Sequence, residues 1–425
     1  FYDLIMTYQA DETHPALQKE TVFKTLFPEK NYLAKEKGPL DSLSSDLYKL
    51  TRKFLFQAQL DRDSESASSY LPMLQFYRKH GLEERFWQTA AIFRRLQDQC
   101  MTRGKKYFLD QLNFEEEISN FQGTFNTHED DANLVAVQQN IDRLFAILKL
   151  EYACALSHRQ KTTQINIDLS ERLTKSVIEV IDEEDYIKTP LSLIYRKILS
   201  ILRSGSSTES LNELFLLLES EKKFVPPENY RNLLAYYRSF WSRKYLHAGT
   251  EYYRQNLFNI YSNHLHEGYL YIDDKLTPLA LRVLTNMGLK VGQFPWVKKL
   301  LDDHPPERIC GTKYPVEVHS LNVAEYHFHK KEYAEAEAKL TYRAFENPNF
   351  SIMADLLLIK IYYETNSELL ESRMKALEQK VRRSKISTET KAGYYNFLKK
   401  LDKVVKYGWQ KSTPKLAKLV EEIKT

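Results

Sequence analysis

The chain has 425 residues, a net charge of +4, 12 glycines and 14 prolines. That length suffices for two or three compact domains or for one extended array of repeats, and the low glycine and proline content disfavours a fold of many short strands and turns. The longest apolar runs, such as 144–148, hold five residues, whereas a membrane helix needs about 18 or more, so we expect no membrane span.

Residues 1–60 are predicted to form a small helical N-terminal module. Helices are expected over Lys19–Phe27 and Leu43–Leu60, the second with Leu43, Leu47, Leu50 and Phe54 at helical spacing. This order of helix, loop and helix resembles the winged helix-turn-helix of bacterial activators that carry a repeat domain. Against DNA binding, the module has 8 basic and 8 acidic residues, and no hairpin able to form a wing follows it.

Residues 61–187 are predicted to be a helical region with one long helix. Three helices are expected over 65–80, 82–101 and 105–121. The longest helical pattern covers 130–160, and one apolar stripe is expected along it: Leu134, Val137, Ile141, Leu144, Leu148 and Tyr152.

Residues 188–425 are predicted to be an array of paired helices. Thr189-Pro190 and Thr277-Pro278 each place an N-cap hydroxyl before a proline at the first helical position. First helices are expected to start near residues 189, 226, 277, 316, 350 and 387. These steps fit a repeat of about 34 residues with insertions.

Within this array, residues 316–350 give the clearest pattern, two helices joined by the turn 329–332. Ala324 lies mid-way along the first helix, Tyr333 and Ala336 open the second, and Pro348 closes the unit. These residues resemble a degenerate tetratricopeptide repeat, in which small side chains let paired helices approach closely. Ser320 and His327 depart from the family pattern, which has Trp and Tyr there.

The resemblance implies a groove that binds protein or peptide partners. The helix stripe that would line it contains Leu321, Glu325, Phe328 and His329, and the next unit would add Asp355, Tyr362 and Tyr363. The basic clamp that some members use for a terminal carboxylate is missing, because Glu325 and Asp355 are acidic. We therefore do not expect a C-terminal carboxylate as the ligand.

The basic C-terminal end is a second candidate surface. Residues 372–425 hold 15 Lys and Arg against 5 Asp and Glu, and Arg382, Arg383, Lys399 and Lys400 belong to the final helices. Terminal repeats need a polar outer face, so a solvated cap explains polarity but not the sign of the charge. An acidic partner would explain the excess of cations.

An aromatic stretch from Tyr230 to Tyr271 is interleaved with Arg and Lys. It is interpreted as core and groove wall, with peptide recognition and single-stranded nucleic acid as the less favoured alternatives. The pairs His264–His266 and His327–His329 point apart on a helix and predict no metal site. No phosphate-binding glycine loop or nucleophile motif occurs in the sequence.

Together these patterns predict an all-α chain, with an α-solenoid of stacked antiparallel helix pairs (a tetratricopeptide-like superhelix) behind a helical N-terminal region. The expected function is a non-catalytic scaffold that binds a protein or peptide in its groove, without cofactor or metal. The three cysteines are odd in number and far apart, which favours reduced thiols and a cytoplasmic location. The alternatives are a transcription regulator with the N-terminal helix-turn-helix-like module, and an enzyme subunit with an unrecognised active site.

Overall fold

The computed structural model describes residues 1–8, 14–30, 32, 38–64, 66–125, 132–163, 171–341, 344–384, 386 and 388–409. The described chain is almost entirely α-helical, as the sequence predicts. It divides into two compact units, one made of Phe1–Arg203 with Ser220–Pro226 and the other of Ser204–Glu219 with Pro227–Thr425. The predicted domain boundaries near residues 60 and 187 stay predictions.

The helices up to residue 221 include those expected from the sequence between residues 19 and 160, together with two that were not expected, over Tyr2–Thr7 and Glu171–Glu183. Their bounds are α1 Tyr2–Thr7, α2 Lys19–Leu26, α3 Pro39–Asp63, α4 Leu71–Lys79, α5 Glu83–Gln99, α6 Lys105–Phe125, α7 Ala132–Thr163, α8 Glu171–Glu183, α9 Pro190–Ser204 and α10 Thr208–Glu221. Short 3-10 turns lie at Ala67–Tyr70 and Asp185–Ile187. The first of these replaces the start of the helix expected over 65–80.

Paired helices follow. Their bounds are α11 Pro227–Ala248, α12 Glu251–His266, α13 Pro278–Lys290, α14 Phe294–Asp303, α15 Pro315–His329, α16 Tyr333–Thr341, α17 Pro348–Glu364, α18 Leu370–Arg383 and α19 Thr388–Trp409. The strands β1 Tyr271–Ile272 and β2 Lys275–Leu276 form a small antiparallel hairpin. This hairpin was not expected from the sequence.

The first helices of the pairs begin within two residues of the predicted positions. Proline is the first residue of α9, α11, α13, α15 and α17, where its missing N–H costs no helical hydrogen bond. Side chains cap some of these starts. The Thr277 hydroxyl accepts a hydrogen bond from the Ala280 N–H, and the Asn347 side chain accepts from the Phe350 N–H.

The same turn ends the first helix of three successive pairs. Gly292, Lys331 and Asn366 follow α13, α15 and α17 with φ values of 76°, 63° and 51°. The next residue then donates its N–H to the carbonyl five positions earlier, from Gln293 to Gly288, from Glu332 to His327 and from Ser367 to Tyr362. This hydrogen bond satisfies a carbonyl at the helix end and reverses the chain.

Packing in the second unit is sequential along the chain. Each of α13, α15 and α17 packs against the helix that completes its pair, and α12, α14, α16 and α18 each pack against the first helix of the next pair. First helices also pack directly on one another, α13 on α15 and α15 on α17. Every helix pair therefore buries apolar surface against its neighbours in the chain.

Ala324 and Ala336 lie in the contact between α15 and α16. Both are fully buried, and Tyr333 packs against the same core. The expectation that small residues mark a close approach of these two helices is therefore confirmed. Gly288 likewise allows α13 and α14 to approach closely, because a Cβ there would lie 2.5 Å from Val297 Cγ2 in α14.

Two apolar stripes expected from the sequence are placed differently in the first unit. In α7 the buried residues are Asn140, Ala146, Ile147, Leu150 and Cys154, whereas Leu134, Ile141 and Tyr152 are exposed. In α3 three residues of the expected stripe are exposed, with Leu50 and Phe54 at 63% and 70%, and Leu47 is partly buried. Helical spacing identifies a face but not whether a neighbour covers it.

The core of the first unit lies between α4, α5 and α6. Stacked rings form its centre, with centroids 4.2 Å apart for Phe93 and Phe114 and 4.0 Å for Phe86 and Phe121. Arg78 donates two hydrogen bonds to Glu117 Oε1, at 2.9 and 2.7 Å, beside this core. Glu117 is only 4% exposed, so the guanidinium supplies the hydrogen bonds that water would otherwise make.

Candidate functional site

A cavity of about 780 Å³ lies in the second unit and contains four of the seven predicted groove residues. These are Glu325, Phe328 and His329 on α15 and Tyr363 on α17. The cavity is lined almost entirely by the first helices of successive pairs, α11, α13, α15 and α17, and by α19. Only Leu257 comes from a second helix, α12. We refer to it as the groove cavity.

The other three predicted residues, Leu321, Asp355 and Tyr362, do not line the groove cavity. Leu321 is 3% exposed and belongs to the core. The Tyr362 hydroxyl donates to Glu337 Oε1 at 2.9 Å, which joins α17 to α16. Asp355 pairs with Arg373 and Lys380 of α18.

Asp355 lies in an ion-pair cluster outside the lining of the groove cavity. Its carboxylate is 4% exposed and neutralised by two cations, so it does not act on a ligand in the groove cavity. Arg282, Lys290 and Lys360 do line the cavity, against the carboxylates Glu325 and Glu364. Cations therefore do line this surface, and the expectation that the ligand is not a C-terminal carboxylate stays a prediction.

These cavity residues occupy equivalent positions in the three repeated turns. Asn286, Glu325 and Lys360 each lie six residues before the left-handed turn residue. A second set lies two residues before it, and all its members also line the cavity: Lys290, His329 and Glu364. Each helix pair thus presents the same two positions to the cavity with a different side chain.

Glu325 and Arg282 are the most buried charges of the groove cavity. Glu325 is 8% exposed, and no described residue donates a hydrogen bond to it. Burial lowers the pKa of Arg282, while the neighbouring charge of Glu325 opposes that shift. Two charges that attract without a direct hydrogen bond keep their donors and acceptors available to a ligand.

The groove cavity adjoins a second cavity of about 490 Å³. Arg282, Glu325, Lys360 and Phe397 line both. The charged groups therefore lie where the two apolar spaces meet, so an occupant that extends from one space into the other must pass them.

His329 and Tyr245 have shifted pKa values in the groove cavity. Burial lowers the pKa of His329, and the charges of Lys360 and Lys290 lower it further against the opposing effect of Glu325. Burial acts to raise the pKa of Tyr245, but the hydrogen bond from Lys290 and the charges of Lys290 and Arg254 outweigh it, and the pKa falls. The neutral imidazole of His329 can accept a hydrogen bond from a ligand at neutral pH.

The aromatic stretch 230–271 contributes mainly core. Tyr230, Tyr237, Phe240 and Trp241 are at most 5% exposed, whereas Tyr245 lines the groove cavity. This placement matches the interpretation as core and groove wall. Buried rings offer no stacking faces to nucleic acid.

The predicted basic residues lie on α18 and α19. Arg382 and Arg383 are exposed in the last turn of α18, Lys399 is exposed on α19, and Lys400 is partly buried. Their suggested contact with an acidic partner stays a prediction. Within the described chain, no three His, Cys, Asp or Glu side chains gather as a metal site.

Helix α3, which the DNA-binding alternative would place in a helix-turn-helix, exposes both apolar and cationic side chains. The exposed residues include the apolar Leu50, Phe54 and Phe56 and the cations Lys49, Arg52 and Lys53, whereas a surface that binds DNA phosphates has mainly cations. That alternative stays untested.

Each described helix is too short or too polar to span a membrane. Comparison with known protein families found none that matches the chain. Searches of curated proteins and of solved structures also found no match.

Proposed function

We propose that the second unit is a tetratricopeptide-like array that binds a peptide segment of a partner protein in the groove cavity, without catalysis. The observation that carries this proposal is the equivalence of the cavity positions. Helices α13, α15 and α17 end in the same turn and place residues at the same two distances from it on the cavity wall. Repeats that stack in register build one continuous binding surface in this way.

The packing pattern supports a solenoid arrangement within this unit. First helices pack on first helices, and each second helix packs on the next first helix. A single pair cannot bury its apolar face alone, so the stacking supplies the core of the array. The first helices are then free to line the groove with their remaining face.

The lining of the groove cavity indicates the chemistry of the peptide. Its wall combines apolar residues such as Met287 and Phe328 with Arg282, Lys290 and Lys360. At the rim, Leu246 and Leu279 are 76% and 71% exposed, which leaves both side chains accessible to a ligand. The proposed ligand is a peptide with apolar anchors and an acidic side chain that faces the three cations.

Selection from a random peptide library tests this proposal. The immobilised protein should enrich sequences that combine apolar residues with Asp or Glu. A Lys360→Glu variant should lose these sequences, because Lys360 lies exposed on the cavity wall and its reversal repels an acidic side chain. Selection of no peptide, or of the same acidic peptides by both proteins, would argue against a groove ligand of this chemistry.

A further inference from the structure

A separate cavity of about 340 Å³ lies in the first unit, between α6, α7 and the segment that leads into α9. Unlike the groove cavity, it is lined mainly by polar side chains: Arg103, Tyr107, Glu115, Asn140, Arg143 and Tyr186. Its volume lies at the lower end of the range for ligand sites, which suits a small molecule.

Arg143 is held rigidly beside this cavity. Its Nε donates to the Tyr186 carbonyl at 2.8 Å, its Nη1 to Asn140 Oδ1 at 3.1 Å and its Nη2 to Gln139 Oε1 at 3.4 Å. These acceptors are neutral oxygens that orient the guanidinium, and the nearby charge of Asp142 also attracts it. Each terminal nitrogen also keeps a second N–H for another acceptor.

Asn140 supplies a further donor. It is 6% exposed, and its oxygen must face Arg143, because a guanidinium only donates. The amide nitrogen therefore points away from Arg143, and no described residue accepts from it. A ligand in the cavity can therefore accept a hydrogen bond from this N–H group.

Arg103 brings a second positive charge to the same space. Its guanidinium lies 5.7 Å from the ring centroid of Tyr107, and that of Arg143 lies 5.7 Å from the ring of Tyr186. Burial is the largest cause that lowers the pKa of Arg143, and the charge of Arg103 lowers it further. Two cations that repel each other across a cavity are both stabilised when an anion lies between them.

One carboxyl group opposes an anion here. Glu115 lines the cavity, and burial raises its pKa, against the effect of Arg94. A hydroxyl on the ligand that donates to Glu115 reconciles this residue with a bound anion.

We propose that this cavity binds the phosphate group of a small phosphomonoester, with Arg143, Arg103 and the Asn140 amide as donors. The two arginines match the charge and geometry of phosphate oxygens. The rings of Tyr107 and Tyr186 hold the guanidinium planes and leave room for a small organic group. The site lies in the first unit and is independent of the groove cavity.

Calorimetric titration of the full chain with phenyl phosphate tests the proposal, with sodium chloride at matched ionic strength as the blank. Saturable binding is expected. Arg103 is exposed. Arg103→Gln and Asn140→Asp should each weaken the binding of phenyl phosphate by about tenfold or more, since each removes a donor to a charged group. Arg95→Gln is the matched control, because Arg95 is exposed on α5 outside the cavity, and it should bind as the parent does.

Inorganic phosphate and glycerol phosphate form the second arm of the titration. Equal affinity for all three would assign binding to the phosphate group alone, and tighter binding of phenyl phosphate would add a contact with the tyrosine rings. Circular dichroism measures whether the variants fold. If Asn140→Asp does not fold, Arg103→Gln alone tests the proposal. The proposal is overturned if no phosphate compound binds saturably, or if Arg103→Gln and Arg95→Gln bind equally.

Discussion

Two effects of known size act in opposite directions when Gly288 is replaced by alanine. In the interior of α13, Ala in place of Gly should stabilise the helix by about 0.8–1 kcal/mol. The added Cβ would lie 2.5 Å from Val297 Cγ2, and Val297 is fully buried with a stiff side chain. Overpacking of this kind costs about 1–3 kcal/mol, so Gly288→Ala should lower the free energy of unfolding by up to about 2 kcal/mol.

Gly393 provides the matched control for this substitution. It lies in α19, and a Cβ there meets no atom within 4 Å, so Gly393→Ala should show the helical gain of about 0.8–1 kcal/mol without the clash. Urea unfolding followed by circular dichroism measures both variants. In the Val297→Ala background the clash is removed, and Gly288→Ala should then become stabilising. Equal stabilisation by Gly288→Ala and Gly393→Ala in the parent would refute the close contact of α13 with α14.

Three further predictions concern the packing, a turn and the pH dependence of the second unit. Ala336→Leu should overpack the contact with α15 and cost about 1–3 kcal/mol, and an unchanged thermal midpoint would contradict the repeat assignment. Lys331→Gly should raise the free energy of unfolding by about 1 kcal/mol, because Lys331 has φ 63°, and Lys331→Val, measured beside it in urea, should lower it. Burial lowers the pKa of His304 below its ordinary 6.5, so the unfolded chain binds the proton first as the pH falls and stability should decline below pH 6.5. His304→Gln should flatten this decline, and an unchanged pH dependence would show that other groups cause it.

Local signals in the sequence were sufficient for the helices and their starts. Proline after an N-cap residue and an apolar stripe at helical spacing locate α13 without any tertiary information. The exposed stripe on α3 and the displaced one on α7 show the limit of this reasoning. Whether a stripe is covered depends on which helix lies opposite, and that contact is set far along the chain.

Only part of the lining of the groove cavity was predicted, because the rest depends on the positions of neighbouring helices. The stripe on α15 was read from one clear repeat, and it gave Glu325, Phe328 and His329 correctly as neighbours on one wall. Lys360 was missed because the expected step of 34 residues pairs Glu325 with residue 359, whereas the turn residues Lys331 and Asn366 lie 35 positions apart. Arg282 was missed because α13 was not aligned with α15. The left-handed turn residues would have aligned them, but Lys331 and Asn366 do not announce a positive φ as glycine does.

A fluorescence anisotropy titration of one library-selected peptide tests the central claim most directly. Leu279→Glu places a charge at the rim of the groove cavity, and Leu216→Glu makes the same change at a similarly exposed leucine, 68% exposed, outside it. Neither change removes a buried contact, so both variants should fold as the parent does. The account predicts that Leu279→Glu weakens binding by about tenfold or more, while Leu216→Glu leaves it unchanged. Equal affinities for the parent and both variants would contradict peptide binding in the groove cavity.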